Sequence, residues 1–260
     1  MKTKFMVFIL ISSLIFCSGC TRDKSMDGFP PNNPSSETVY TSPKKSQQII
    51  TGKVIKIENE MILISDTMGN GLYQINFPAY TGGISDINPG DLVEVGFDGM
   101  ILEMYPAIVA NPDYVILIEK GEDFVNFYCE ILVDLFQTDP GLNSDISFIA
   151  LDLTEDKNLS ESEKKALLYL LWNATQIETR LATYDNLLSE NLVTIDSETK
   201  FAQISNGILM KLESSKADKN RFTFTAEKWR SSLGAFWFTD CNAKKTNGQW
   251  SYTIGQEIIS

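Results

Sequence analysis

From Ile49 the chain alternates apolar and polar positions with a period of two, in short runs punctuated by turn residues. Glu58-Asn59-Glu60 joins Ile49–Ile57 to Met61–Ser65, and Asn70-Gly71 precedes Leu72–Phe77. Asn88-Pro89-Gly90-Asp91 turns into Leu92–Phe97, Asp98-Gly99 turns into Met100–Met104, and Tyr114–Ile118 closes the set. Strands joined by tight turns, with no helical period between them, predict a small closed barrel over residues 48–120. Five strands in an OB-like arrangement are expected. So short a segment builds only a small core of its own and should lean on its neighbour.

At Gly121 the period lengthens. Phe124, Phe127, Tyr128, Ile131, Leu132, Leu135 and Phe136 recur at three- and four-residue steps, predicting an amphipathic helix over 122–137 that Asp139-Pro140-Gly141 ends. Residues 142–159 read as a loop. Ser160 and Glu163 have capping-box spacing before the leucines at 167, 168, 170 and 171, which predicts a second helix. Ile177, Leu181, Tyr184 and Leu188 predict a third. Alternation then returns at Ile208/Met210/Leu212, Phe222/Phe224/Ala226, Ala235–Ala243 and Trp250/Tyr252/Ile254, with Lys219-Asn220 and Asn247-Gly248 as turns. Helices followed by four antiparallel strands predict an α+β domain over 121–260, its helices on one face of a cystatin-like or NTF2-like sheet.

Composition changes this picture by exclusion. The chain has 260 residues, a formal net charge of −12 and no histidine. The acidity repels phosphate backbones, so no nucleic acid partner is expected. Without imidazole, the Ser-His-Asp and Cys-His mechanisms and the usual histidine metal sites fall away. Neither a cofactor nor a metal is expected. Residues 48–120 carry ten acids against three lysines, the wrong sign for a groove that holds single-stranded nucleic acid. Asp66-Thr67-Met68-Gly69-Asn70-Gly71 is a turn and not a calcium loop, since Met68 stands at the third position and no glutamate closes it.

The first 47 residues are of another kind. Lys2 and Lys4 precede the apolar run Phe5–Phe16, too short to span a bilayer. The run closes in Leu14-Ile15-Phe16-Cys17-Ser18-Gly19-Cys20, which resembles the lipobox of bacterial lipoproteins. The resemblance implies a signal peptide over 1–19 and a mature chain that starts at an acylated Cys20. Two acyl chains anchor a protein stably to a membrane where one is marginal. Residues 20–47 hold Pro30, Pro31, Pro34 and Pro43 among polar residues and read as a disordered linker. The expected location is the outer face of the cell membrane, in a Gram-positive-type envelope. Of the four cysteines, Cys129 and Cys241 remain as two buried thiols or one disulfide.

Two further resemblances follow from particular residues. Pro89-Gly90-Asp91, Val93-Glu94-Val95, Asp98-Gly99 and Tyr105-Pro106-Ala107 resemble the YobA-like secreted family over about residues 50–118. That implies an exported, barrel-like domain and no particular reaction. Lys228-Trp229-Arg230-Ser231, Asp240-Cys241 and Asn247–Tyr252 resemble the tails of exported clostridial-type proteins.

Candidate chemistry is sparse. Ser42/Lys45, Ser162/Lys165 and Ser197/Lys200 have the Ser-x-x-Lys spacing of penicillin-binding enzymes, but no companion Ser-Asp-Asn or Lys-Thr-Gly accompanies them. Asp152, Glu155 and Asp156 cluster in a stretch that reads as a solvated loop. Aromatics concentrate instead at the end of the chain. Trp229, Phe236, Trp237, Phe238, Trp250 and Tyr252 are the candidate ligand or partner residues. Neighbours such as Phe236 and Trp237 point to opposite faces of a strand, so the helices cannot cover all of them. The expected function is a lipid-anchored, non-catalytic binding or interaction module, acting on a cell-wall glycan or an envelope protein through the aromatic face or the domain junction. The alternative is a cell-wall hydrolase using paired carboxylates, which need no histidine, or an inhibitor of one.

Overall fold

Short alternating runs between turns pair into sheets. The computed structural model describes residues 48–69, 71–76 and 86–260. The signal 1–19, Cys20, the linker 20–47, Asn70 and Phe77 lie outside the described residues.

The first sheet is built from β1 (Gln48–Glu58), β2 (Met61–Asp66), β3 (Leu72–Asn76), β4 (Leu92–Phe97), β5 (Ile101–Leu102), β6 (Ala107–Val109) and β7 (Pro112–Glu119). Their order is β5-β6-β3-β2-β1-β4-β7. Every pairing is antiparallel except β3 with β6. All seven strands contribute to one core cluster, from Ile101 and Val109 through Ile75, Ile64, Val54 and Val95 to Val115. A sheet whose one face packs on itself in this way is strongly curved. Its other face presents Ile55, Leu63 and Leu72 to a second core.

This corrects the expected five-stranded OB-like barrel: the sheet has seven strands. β5 falls inside the expected run Met100–Met104, so the strand that the pattern did not mark is β6, of three residues. An element that short completes no period and leaves no signal in the sequence.

The second part holds β8 (Phe148–Asp152), β9 (Glu178–Leu181), β10 (Val193–Ile195), β11 (Ala202–Ile204), β12 (Gly207–Ser214), β13 (Arg221–Ser231), β14 (Gly234–Thr246), β15 (Gln249–Thr253) and β16 (Gln256–Ile259). With them are α1 (Phe124–Gln137), α2 (Glu161–Thr175) and α3 (Tyr184–Ser189). One path runs β10-β11-β13-β12-β8-β9, and β14 pairs with β13 while carrying β15 and β16.

The four-stranded antiparallel sheet of cystatin-like or NTF2-like type is therefore also overturned, by a nine-stranded sheet in a protein that is mostly β. The residues expected as a loop contain β8, which runs parallel to both β12 and β9. All five residues of Phe148-Ile-Ala-Leu-Asp are buried. A strand covered on both faces shows no alternation, only a brief apolar run. The third expected helix splits into β9 and the six-residue α3.

Helix α1 starts where Asp123 accepts the backbone N–H of Asn126 at 3.1 Å. Its stripe of Phe124, Phe127, Tyr128, Ile131, Leu132 and Leu135 is buried, each large side chain contributing about 1.5–3 kcal/mol of transfer free energy. Helix α2 begins at Ser160 in the capping box with Glu163. These two helices lie on the face of the second sheet that carries Ile149, Met210, Phe222 and Phe238, and the same core takes in Ile55, Leu63 and Leu72 of the first sheet. Two contacts lock that junction. Lys53 Nζ on β1 lies 2.8 Å from Glu163 Oε1. Gly90, at φ +92°, passes so close to the turn before α1 that an added Cβ would sit 2.4 Å from the Glu122 carbonyl carbon. The opposite face of the second sheet has a smaller core of Phe148, Ala150, Leu187, Val193, Ile204 and Leu209.

Candidate functional site

The six aromatic candidates do not share a surface. Phe236 and Phe238 are buried in the core beneath the helices. Trp250 and Tyr252 pack on that same core. Trp250 lies 5.4 Å from Phe124 and 5.3 Å from Phe222 between ring centroids, and Tyr252 lies 5.6 Å from Phe224. Their polar atoms are matched: the Trp250 indole N–H donates to Glu122 at 3.0 Å, and the Tyr252 hydroxyl donates to Asp134. Trp229 and Trp237 belong to the other face. Trp229 packs edge-on to Tyr184 at 5.3 Å. Cys20, the lipidation candidate, lies outside the described residues.

Trp237 stands in a row that crosses the second sheet, with Ile258 of β16 on its far side. Cross-strand register places Asp152 beside Lys211, Lys211 beside Glu227, and Glu227 beside Trp237. Burial raises the Glu227 carboxyl above its ordinary range, against the Trp237 indole hydrogen bond and Lys211, which lower it. The two acids stand two strands apart, about 10 Å between backbones, with Lys211 between them in register and its ammonium paired with Glu213. That is a charge ladder of the kind that stabilises an open sheet face.

The acidic cluster of 152–156 is likewise employed in structure. Asp152 accepts from the backbone and hydroxyl of Thr154 at 3.0 and 2.7 Å. Asp156 accepts the hydroxyls of Tyr128 and Ser214 at 2.9 and 2.7 Å, and Glu155 pairs with Lys157. Asp66 takes the amides of Met68 and Gly69, closing its turn. Among the described residues no group of three or more Cys, Asp or Glu is placed to hold a metal ion.

The concave feature that the sequence does not show is a cleft of about 460 Å³ where the first sheet meets α1 and α2. Helical spacing puts Asn126, Cys129, Glu130 and Val133 on one stripe of α1, beside the buried stripe. Tyr169, Leu170, Asn173 and Ala174 do the same on α2. Met61 and Leu63 form the sheet side, with Gln74 and the Lys56–Glu58 ion pair, 2.7 Å long, at its margin. Apolar walls with a few amides and carboxylates are the usual make-up of a small-molecule site. Burial pushes the Cys129 thiol up to about 11, so it stays protonated at neutral pH and is no ready nucleophile.

The α2 wall continues outward as a strip of rings. Tyr105, which follows β5, meets Tyr169 edge-on at 5.7 Å, and Tyr169 lies 6.1 Å from Trp172. Tyr105 is 67% exposed and Trp172 43%. The sequence held one usable signal for this strip: Tyr169 and Trp172 are three residues apart, offset from the core positions Leu167 and Leu171. Tyr105 joins them only through the packing of the sheet on α2. No family model, curated protein or solved structure matches this chain.

Proposed function

We propose that the protein is a lipid-anchored, non-catalytic binding module on the outer face of the cell envelope, working through the cleft between the first sheet and helices α1 and α2. The observation that carries this reading is the character of the cleft: apolar walls drawn from three elements, an amide margin, a neutralised ion pair and a protonated thiol. Such a surface favours retention of a ligand over chemistry on it. The anchor rests on the lipobox-like stretch ending in Cys20.

Retention on isolated cell envelopes tests the cleft. Val133→Arg places a charge in its wall and should lower retention of the solubilised chain at least about tenfold, the loss of roughly 1.4 kcal/mol. Unchanged retention with the fold intact would remove the cleft from the function. Palmitate incorporation that persists in Cys20→Ala would remove the anchor.

A further inference from the structure

The same cleft supports a finer assignment, which rests on the binding reading above. We propose that it takes a neutral saccharide chain, with sugar rings laid against Tyr105, Tyr169 and Trp172. Tyr169 touches both Tyr105 and Trp172, which are 67% and 43% exposed, and the three rings form an apolar strip that a ligand with an apolar face would cover. A sugar ring offers such a face in its C–H groups, and at its edge a set of hydroxyls that need planar polar partners. Beside the strip, Gln74, Asn173 and Glu130 supply amide and carboxylate groups.

Other occupants fit less well. A polyanion, whether phosphate- or uronate-bearing, would find the cleft's lysine, Lys56, already paired with Glu58 and would face Glu130. An acyl chain would cover the same amides and carboxylate without giving them a hydrogen bond, which burial penalises. A neutral saccharide meets both requirements at once.

The test is tryptophan fluorescence of the full chain in a non-glycosidic detergent, titrated with cellotriose, chitotriose or maltotriose. At least one should bind with a Kd of about 0.1–1 mM. The signal should vanish in Trp172→Phe, and the affinity should fall at least about tenfold in Tyr105→Ala, with the fold retained. Trp237→Ala and Trp229→Ala should bind as the parent does. Two results overturn the saccharide assignment: no binding of any of the three up to about 10 mM, or binding that Tyr105→Ala and Tyr169→Ala leave intact. If either occurs while Val133→Arg still abolishes envelope retention, the cleft remains a binding site for something else.

Discussion

The ammonium of Lys228 lies 3.1 Å from the carbonyl oxygen of Phe136, in the last turn of α1, on a side chain with 0% exposure. It also donates to the carbonyls of Thr138 and Asp139 and to Asn143. The last carbonyls of a helix have no partner within it and carry the negative end of its dipole. A lysine from the middle of β13 supplies both the donors and the charge. Lys228→Met should therefore cost about 1–3 kcal/mol, through buried carbonyls left without a donor, as read by urea denaturation.

The same residue gives a pH dependence. Burial lowers the Lys228 ammonium to about 8, against an ordinary value of 10.5, with Asp139 opposing the shift. Between those values the unfolded chain holds a proton that the folded chain has released, so stability rises with pH across that window. Below about 8 the penalty on the buried charge is fully present. Denaturation midpoints followed from pH 7 to 10 should climb more in the parent than in Lys228→Met; parallel curves would contradict this.

Lys53 and Glu163 join the first sheet to α2, and the Glu163 side chain is 3% exposed. Glu163 also closes the capping box with Ser160. Glu163→Gln keeps the hydrogen-bonding shape and loses the charge. A double-mutant cycle with Lys53→Met should give a coupling of about 1–3 kcal/mol. A coupling near zero would mean that packing alone holds the junction.

Cys129 and Cys241 are free thiols, each raised above the ordinary thiol range by burial. Neither should react with iodoacetamide at pH 7 in the folded protein, and both should be alkylated after denaturation without reductant. A mass showing neither labelled under those conditions would indicate a bridge.

The two faces of the second sheet should respond differently to truncation. Phe222→Ala removes a ring that contacts Phe124, Phe127, Tyr128 and Trp250 and should cost about 3–5 kcal/mol. Trp237→Ala, on the half-buried ladder face, should cost less than about 1.5 kcal/mol. Thermal melts of the two variants decide it.

Much of the local structure was legible before folding, because it depends on neighbours along the chain. The capping box of Ser160 with Glu163 and the helix ending at Gln137 are observed where the spacing places them. Each is a contact between residues three or four apart, or a backbone limit imposed by a nearby proline. The strand at Phe148–Asp152 was not legible, since its five buried residues acquire a strand's hydrogen bonds only from β12 and β9, 59 and 30 positions away.

The candidate site divides along the same line. Composition and order by themselves determined the acidity, the absence of histidine and the presence of a lipobox-like stretch, because these need no partner. Which aromatics face water was decided by packing alone. Alternation says that Phe236 and Trp237 oppose each other, but only the helices lying on one face bury Phe236 and Phe238 and draw Trp250 and Tyr252 partly into the same core. Likewise Tyr105, Tyr169 and Trp172 form one strip only because the curved first sheet docks on α2 and brings residues more than 60 positions apart into ring contact. A one-dimensional pattern records the period of an element; the surface that element meets is a property of the folded whole.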